Sequence, residues 1–254
     1  MKVGVRLTYS CFIAACLSLG ACHDTINGPD TPEGDLTHIQ YNPVYYNPVV
    51  PSNFPALEQP TNNPMTNEGI WLGRKLFFDP ILSIDSTIAC ASCHKPAGSF
   101  TDNLDLSPGV NGKTGRGSMS LINVGFHYNG LFWDGRAHTL EEQALVPVQN
   151  EVEMGETWEH VVDKLKSHPT YPQDFRKAFG IENVKDISKE LAAQAIAQFE
   201  RSLISGGNSK YDRFARGEIF LDENEYNGYL EFFDFEPALP DAECGHCHNA
   251  PLFA

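Results

Sequence analysis

The sequence predicts a mostly α-helical protein, on three observations. Apolar residues recur at helical spacing in several stretches after residue 66, cap residues stand at the starts of those stretches, and no convincing run of alternating strand pattern appears. At 254 residues, 41% hydrophobic and 20% charged, the chain has an ordinary globular composition and the length for one sizeable domain or two smaller ones.

Each helix has its own signal. "TNEGIWLGRKLFF" is a short helix with Thr66 as cap. "TLEEQALVPV" opens with a capping box, Thr139 to Glu142, and is expected to stop near Pro147. "TWEHVVDKLKS" and "PQDFRKAFG" follow, the second ending on Gly180. "ISKELAAQAIAQFERSLIS" is the longest: Ile187, Leu191, Ala195, Phe199 and Leu203 form one apolar face, and Gly206-Gly207 ends it. "DENEYNGYLEFFD" starts on a capping box, Asp222 to Glu225.

The N-terminal region reads differently. Lys2 and Arg6 precede an apolar stretch from about Leu7 to Leu19, too short to span a bilayer and right for a signal peptide over 1–21. It ends in Leu19-Gly20-Ala21-Cys22, a pattern resembling a bacterial lipobox with Cys22 as the lipidated residue; ordinary cleavage after a small residue is the alternative. Either reading makes the protein exported, periplasmic or anchored to the envelope by a lipid. Residues 22–65 form a Pro/Asn-rich tether and strap, with the near-repeat YNPV at 41–44 and 46–49. Removal of the leader takes Lys2 and Arg6 and no acid, so the net charge goes from −15 to −17. That disfavours nucleic acid as a partner and suits a basic redox protein, although a solvated acidic surface is the commoner explanation.

Cysteine usage carries the chemistry. Three of the seven cysteines (Cys11, Cys16 and Cys22) lie in the first 22 residues, and the other four form two Cys-x-x-Cys-His units, Cys90-Cys93-His94 and Cys244-Cys247-His248. Two thiols one helical turn apart reach the two vinyl groups of one porphyrin, and the adjacent histidine then serves as axial ligand to the iron. Zinc would require two Cys pairs at finger spacing, and a thioredoxin-like pair would require a βαβ setting. Neither is found. "SPGVNGKT" at 107–114 is nearly a P-loop, but Ser107 stands where glycine is needed and no strand precedes it, so a glycine-rich turn is expected.

Around these units the chain resembles the bacterial dihaem cytochrome c peroxidases and the related MauG-type enzymes that oxidise protein tryptophan. The resemblance rests on "LGRKLFFDPILS", "IACASCH", "FTDN", "FWDGRAHTLEEQA", "EMG", "AIAQFERSLIS" and "CGHCHNAPLF", in the family's order from about residue 66 onward. It implies two cytochrome c-like haem domains, a peroxidatic one over 66–182 and an electron-transfer one beginning at 183, and two c-type haems. Cys90 and Cys93 would hold the first haem with His94 on its iron, and Cys244 and Cys247 the second with His248. The family's distal glutamine and glutamate map onto Gln143 and Glu153: Glu153 as acid–base, Gln143 to orient peroxide or water. Trp133 corresponds to a tryptophan between the haems, an electron conduit or simply a packed side chain. Arg136 and Arg74 are candidates for haem propionates or ordinary salt bridges.

The chain departs from the family in three places. The loop "NLDLSPGVNGKTGRGSMSLIN" contains no histidine to bind the first iron at rest, and His127, His138, His160 and His168 read as structural, so that iron is expected to rest open. Family members hold calcium with an asparagine near "RGSMS", where this chain has Gly117 and Ser118, which leaves calcium an open expectation. No methionine follows Met154 to cover the second haem, so the chain is expected to be truncated within its second domain. The function implied is an exported peroxidase that reduces hydrogen peroxide with electrons from a small cytochrome c or cupredoxin, with a homodimer as one assembly. A MauG-like protein-modifying oxidase and a non-catalytic dihaem electron carrier are the alternatives.

Overall fold

The computed structural model describes residues 33–240 and 242–248, so the leader over 1–21 and the lipidation residue Cys22 lie outside the described residues. Within the unit Gly34–Ala254, the helices are α1 (Asn67–Phe78), α2 (Cys90–Cys93), α3 (Leu140–Gln149), α4 (Trp158–Ser167), α5 (Tyr171–Phe179), α6 (Lys189–Arg201), α7 (Lys210–Ala215), α8 (Glu223–Phe233) and α9 (Cys244–Cys247). The one sheet among the described residues is a two-residue antiparallel hairpin, β1 (Pro108–Gly109) with β2 (Gly112–Lys113). It occupies the P-loop-like stretch, where a glycine-rich turn was expected. No helix among the described residues is long and apolar enough to cross a membrane.

The caps do what their chemistry predicts. Thr66 accepts the backbone N–H of Gly69 at 3.0 Å, and Thr139 accepts that of Glu142 at 3.0 Å. The Glu142 carboxylate reaches back to the N–H of His138 rather than of Thr139, so the box closes one residue earlier than the motif describes. Helix α5 ends on Gly180 at φ 72°, a left-handed cap. Two helix ends correct the sequence reading. Helix α3 continues past Pro147 to Gln149, because a proline in the last turn removes only one helical donor. Helix α6 stops at Arg201 rather than at Gly206: the Asn123 N–H donates to the Leu203 carbonyl at 2.7 Å, and the Asn123 side-chain carbonyl accepts the Ser205 N–H at 2.8 Å. Those bonds tie residues 203–205 to Asn123, and Leu203 leaves the helix.

Helix α6 is the centre of the core and packs on α1 and α3. Nearly every residue from Ala192 to Arg201 is buried, not one face of the helix alone. The approach to α1 is close because α1 presents Gly69 and Gly73, one turn apart; a Cβ on Gly73 would lie 1.8 Å from the Ala195 carbonyl oxygen. Helix α6, expected to open a second domain from 183, packs in one core with α1.

Residues 33–65 are a strap, hydrogen-bonded along their length. Leu36 N–H donates to Glu182 O at 2.9 Å, Asn67 N–H to Val44 O at 2.9 Å, and Arg176 Nε to Ile39 O at 3.0 Å. Buried Asn63 accepts from Gln198 Nε2 at 2.7 Å and donates to Glu141, which also receives Arg201 Nη2 at 3.0 Å. Each buried polar group of this network has a partner, as burial requires.

The hairpin fixes the turn after α3. Val110 N–H donates to Glu153 O at 2.9 Å and Asn111 N–H to Val152 O at 3.2 Å. The Asn150 side-chain oxygen accepts the N–H groups of Val152 and Glu153 from the other side. A Cβ on Gly109 would lie 2.0 Å from Val152 O. Gly73→Ala, which must push two helix backbones apart, is expected to lose about 1–3 kcal/mol in urea unfolding. Gly109→Ala is expected to raise amide exchange at Val110 and Asn111, because the hairpin can no longer seat on the Glu153 turn; unchanged protection would refute that packing.

Candidate active site

A cavity of about 340 Å³ opens beside α2. Cys90, Cys93 and His94 line one part of it, and Gln143 and Glu153 another. The local fold explains how they come together. Ala89 N–H donates to Ser92 Oγ at 3.0 Å, which nucleates the single turn of α2 and sets the two thiols on it. After α2 the chain turns through Ser99 and Phe100, both at φ 59°. That turn brings the Phe100 carbonyl to 3.0 Å from His94 Nδ1. A carbonyl can only accept, so Nδ1 carries the proton and Nε2 keeps its lone pair. Burial lowers the His94 pKa, with the backbone carbonyls opposing, and the ring is a neutral imidazole with one nitrogen committed. Metal-binding histidines are oriented in this way.

The thiols are free, not joined in a disulfide. Burial, then the field of Glu200, pushes the Cys90 thiol up to about 12. A redox-active dithiol needs a depressed thiol, so the thioredoxin-like reading fails on chemistry. An apolar cavity with a thiol pair and a buried imidazole at its wall fits a covalently attached haem.

Gln143 stands on α3, one turn after Thr139, and no described residue hydrogen-bonds to its side-chain amide. Glu153 is held by backbone contacts on both sides, as above. Burial raises its pKa, and Arg136 partly opposes that. A carboxyl whose pKa is raised in a cavity is suited to proton transfer there. Arg136 lines the cavity, pairs with Asp134 at 2.8 Å and stacks its guanidinium 3.6 Å over the Phe132 ring. Arg74 does not reach the cavity; it lies over Phe78. His94 is the one histidine of the lining, and His127 is not part of it.

Trp133 also lines the cavity but is 66% exposed, with its indole N–H donating to Gly117 O at 2.9 Å. Its ring is exposed at the cavity's edge and held by that bond, whereas Trp158 is buried. Sequence reasoning missed Glu200, a buried carboxyl of the same lining. Its signal was available: it falls one helical turn after buried Ile196, in a helix otherwise filled with apolar residues.

The second unit is on α9. Cys244 Sγ lies 3.4 Å from Ala242 O, and a Cβ on Gly245 would meet the Phe233 ring of α8 at 2.8 Å. Aromatic residues of α7 and α8 cluster beside it: Phe214, Tyr226, Tyr229 and Phe233 make edge or stacked contacts. Residues 249–254 lie outside the described residues.

Comparison with known proteins agrees with this chemistry. The family model described as di-haem cytochrome c peroxidase matches residues 67–219. The chain is 36% identical over 200 residues to cytochrome c551 peroxidase of Pseudomonas aeruginosa, covering 77% of this chain and 55% of that protein. It is 34% identical over 200 residues to methylamine utilization protein MauG of Methylorubrum extorquens, covering 78% and 54%. A crystal structure of a MauG-like protein associated with microbial copper homeostasis superposes with a TM-score of 0.69 at 33% identity, covering 80% of this chain and 58% of that one. The chain spans about half the length of the relatives it matches. With the motif order, the cavity and these matches in agreement, the chain belongs to the di-haem cytochrome c peroxidase family.

Proposed function

We propose that the protein is an exported dihaem cytochrome c peroxidase that reduces hydrogen peroxide to water with electrons from a small cytochrome c or cupredoxin. The observation that carries this reading is one cavity that holds the Cys90, Cys93 and His94 unit together with a raised carboxyl, Glu153, and an uncommitted amide, Gln143. Cys90 and Cys93 would attach the first haem and His94 Nε2 would hold its iron, which supplies the electrophile and the electron path to peroxide. Glu153 takes the proton from the inner peroxide oxygen and returns it to the outer one, so that the outer oxygen leaves as water. Gln143 orients the peroxide by hydrogen bonding. The backbone clamp on the Glu153 turn keeps that carboxyl at one depth in the cavity.

Cys244, Cys247 and His248 would form the electron-entry site, in a second cytochrome c-like domain that begins after α6. Trp133, oriented at the cavity's edge, is suited to carry electrons between the two haems. The same reading takes the chain as exported, with Cys22 as a lipid anchor. A second reading, a MauG-like protein-modifying oxidase, is favoured by the relatives that bear that name. Peroxide-dependent oxidation of a reduced small cytochrome c supports the first; peroxide-dependent modification of a protein tryptophan without such turnover supports the second.

Two outcomes are expected. A pyridine haemochrome assay on the exported protein should give two covalently bound haems per chain, and one haem, or haem extractable by acid acetone, refutes the assignment. Glu153→Gln should keep haem content and slow peroxide reduction by about two to four powers of ten. A loss of less than a few-fold removes Glu153 from proton transfer.

A further inference from the structure

Glu200 is a second carboxyl of the cavity, and the reaction as written above gives it no part. It sits in the last turn of α6, is 4% exposed, and lines the same cavity as Cys90. Its Oε2 is enclosed and receives no hydrogen bond. An ionised carboxylate in that position is costly, because nothing replaces the water it has lost. Arg201, the cation whose field reaches it, is already bound to Glu141 at 3.0 Å, and the Glu141 charge repels a charge on Glu200. The same cavity is lined by Glu153, Arg136, Cys90 and His94. Burial pushes Glu200 up to about 8, with Arg201 opposing and Glu141 adding. The group therefore exchanges its proton in the neutral to alkaline range rather than in the acid range of an ordinary carboxyl.

The field of Glu200 is felt at Cys90, more strongly than that of Glu153. In the reading above, Cys90 is bonded to the haem, so a charge on the ring and a charge on Glu200 act on each other through the same low-dielectric wall. We propose that Glu200 is a redox-linked proton site, which binds one proton when the haem attached at Cys90 and Cys93 gains one electron and releases it when that electron leaves. The inference rests on the haem reading. The electron comes from the reduced donor protein and the proton from solvent; reduction forms one carboxyl O–H bond, and reoxidation breaks it. Peroxide reduction consumes two protons with two electrons, and Glu200 stores one proton of each pair beside the cavity.

The sign is fixed by charge. Reduction removes one positive charge from the ring, so Glu200 holds its proton more tightly in the reduced protein, and the potential falls as pH rises. Each tenfold fall in proton concentration lowers it by at most about 59 mV while Glu200 titrates. Spectroelectrochemical titration of the holoprotein through the neutral and alkaline range should show this slope for one haem. Glu200→Gln should abolish the slope at unchanged haem content, whereas Glu153→Gln should retain it. A slope that survives in Glu200→Gln overturns the proposal. Redox-difference infrared spectra of the unsubstituted holoprotein provide a second readout that needs no variant. A carboxylic C=O band should grow on reduction, vanish in Glu200→Gln and shift in Glu200→Asp; no such band on reduction overturns the proposal even if neither variant folds. Protein without covalent haem at Cys90 overturns the haem reading as well, whereas haem of pH-independent potential overturns only the proton site.

Discussion

The close crossing of α1 and α6 is the constraint on which the rest of the molecule depends. Of two glycines one turn apart on α1, Gly73 admits the backbone of α6 at Ala195 and Gly69 admits the side chain of Gln198. Successive residues of a helix point about 100° apart, so four consecutive residues of α6 are sent to four different tasks. Gln198 accepts the Thr66 N–H at 2.9 Å and ties α1 to the strap. Phe199 packs against Phe77 and Phe100, whose carbonyl orients His94. Glu200 turns into the cavity, and Arg201 closes the ion pair with Glu141 on α3. One backbone contact thereby sets the imidazole, the cavity carboxyl and the position of the distal helix.

The imidazole itself is held by strain as well as by packing. Ser99 and Phe100 both occupy the left-handed region, which costs of order 1–3 kcal/mol for each non-glycine residue. The bond from His94 to Phe100 O is what that conformation provides. Phe132, at φ 62° under the Arg136 guanidinium, is a third such residue on the cavity wall. Of the three, Phe132 lines the cavity directly, while Ser99 and Phe100 act on it through the His94 ring.

Much of this was legible in the sequence, for a physical reason. Caps and Cys-x-x-Cys-His units are local: the residues that make Thr66 a cap or set two thiols on one turn lie within four positions of each other. The failures are all long-range. The end of α6 is decided by Asn123, some eighty residues away, and no periodicity in "FERSLIS" can report that. That α6 shares a core with α1 could not be read locally, because its close approach depends on glycines in α1. Glu200 was passed over for the same reason, since a glutamate in a helical run reads as solvated until the surrounding walls are known. The sequence leaves Trp133 between conduit and packing, and its exposed position with the N–H bonded to Gly117 O is likewise set by residues distant in sequence.

The clamp on the turn after α3 has a consequence for how this protein can change. Glu153 is placed by main-chain groups: its own carbonyl, those of Glu151 and Val152, and the N–H groups that Asn150 accepts. None of these bonds uses the side chains of Glu151 or Val152. Substitutions that keep the backbone at those two positions are expected to leave the carboxyl between Asn150 and Gly155 in place. Substitutions at Asn150, Gly109 and Gly155 are not, because their contribution is geometric. Sequence variability in this turn therefore carries no information about the constancy of the chemistry it supports.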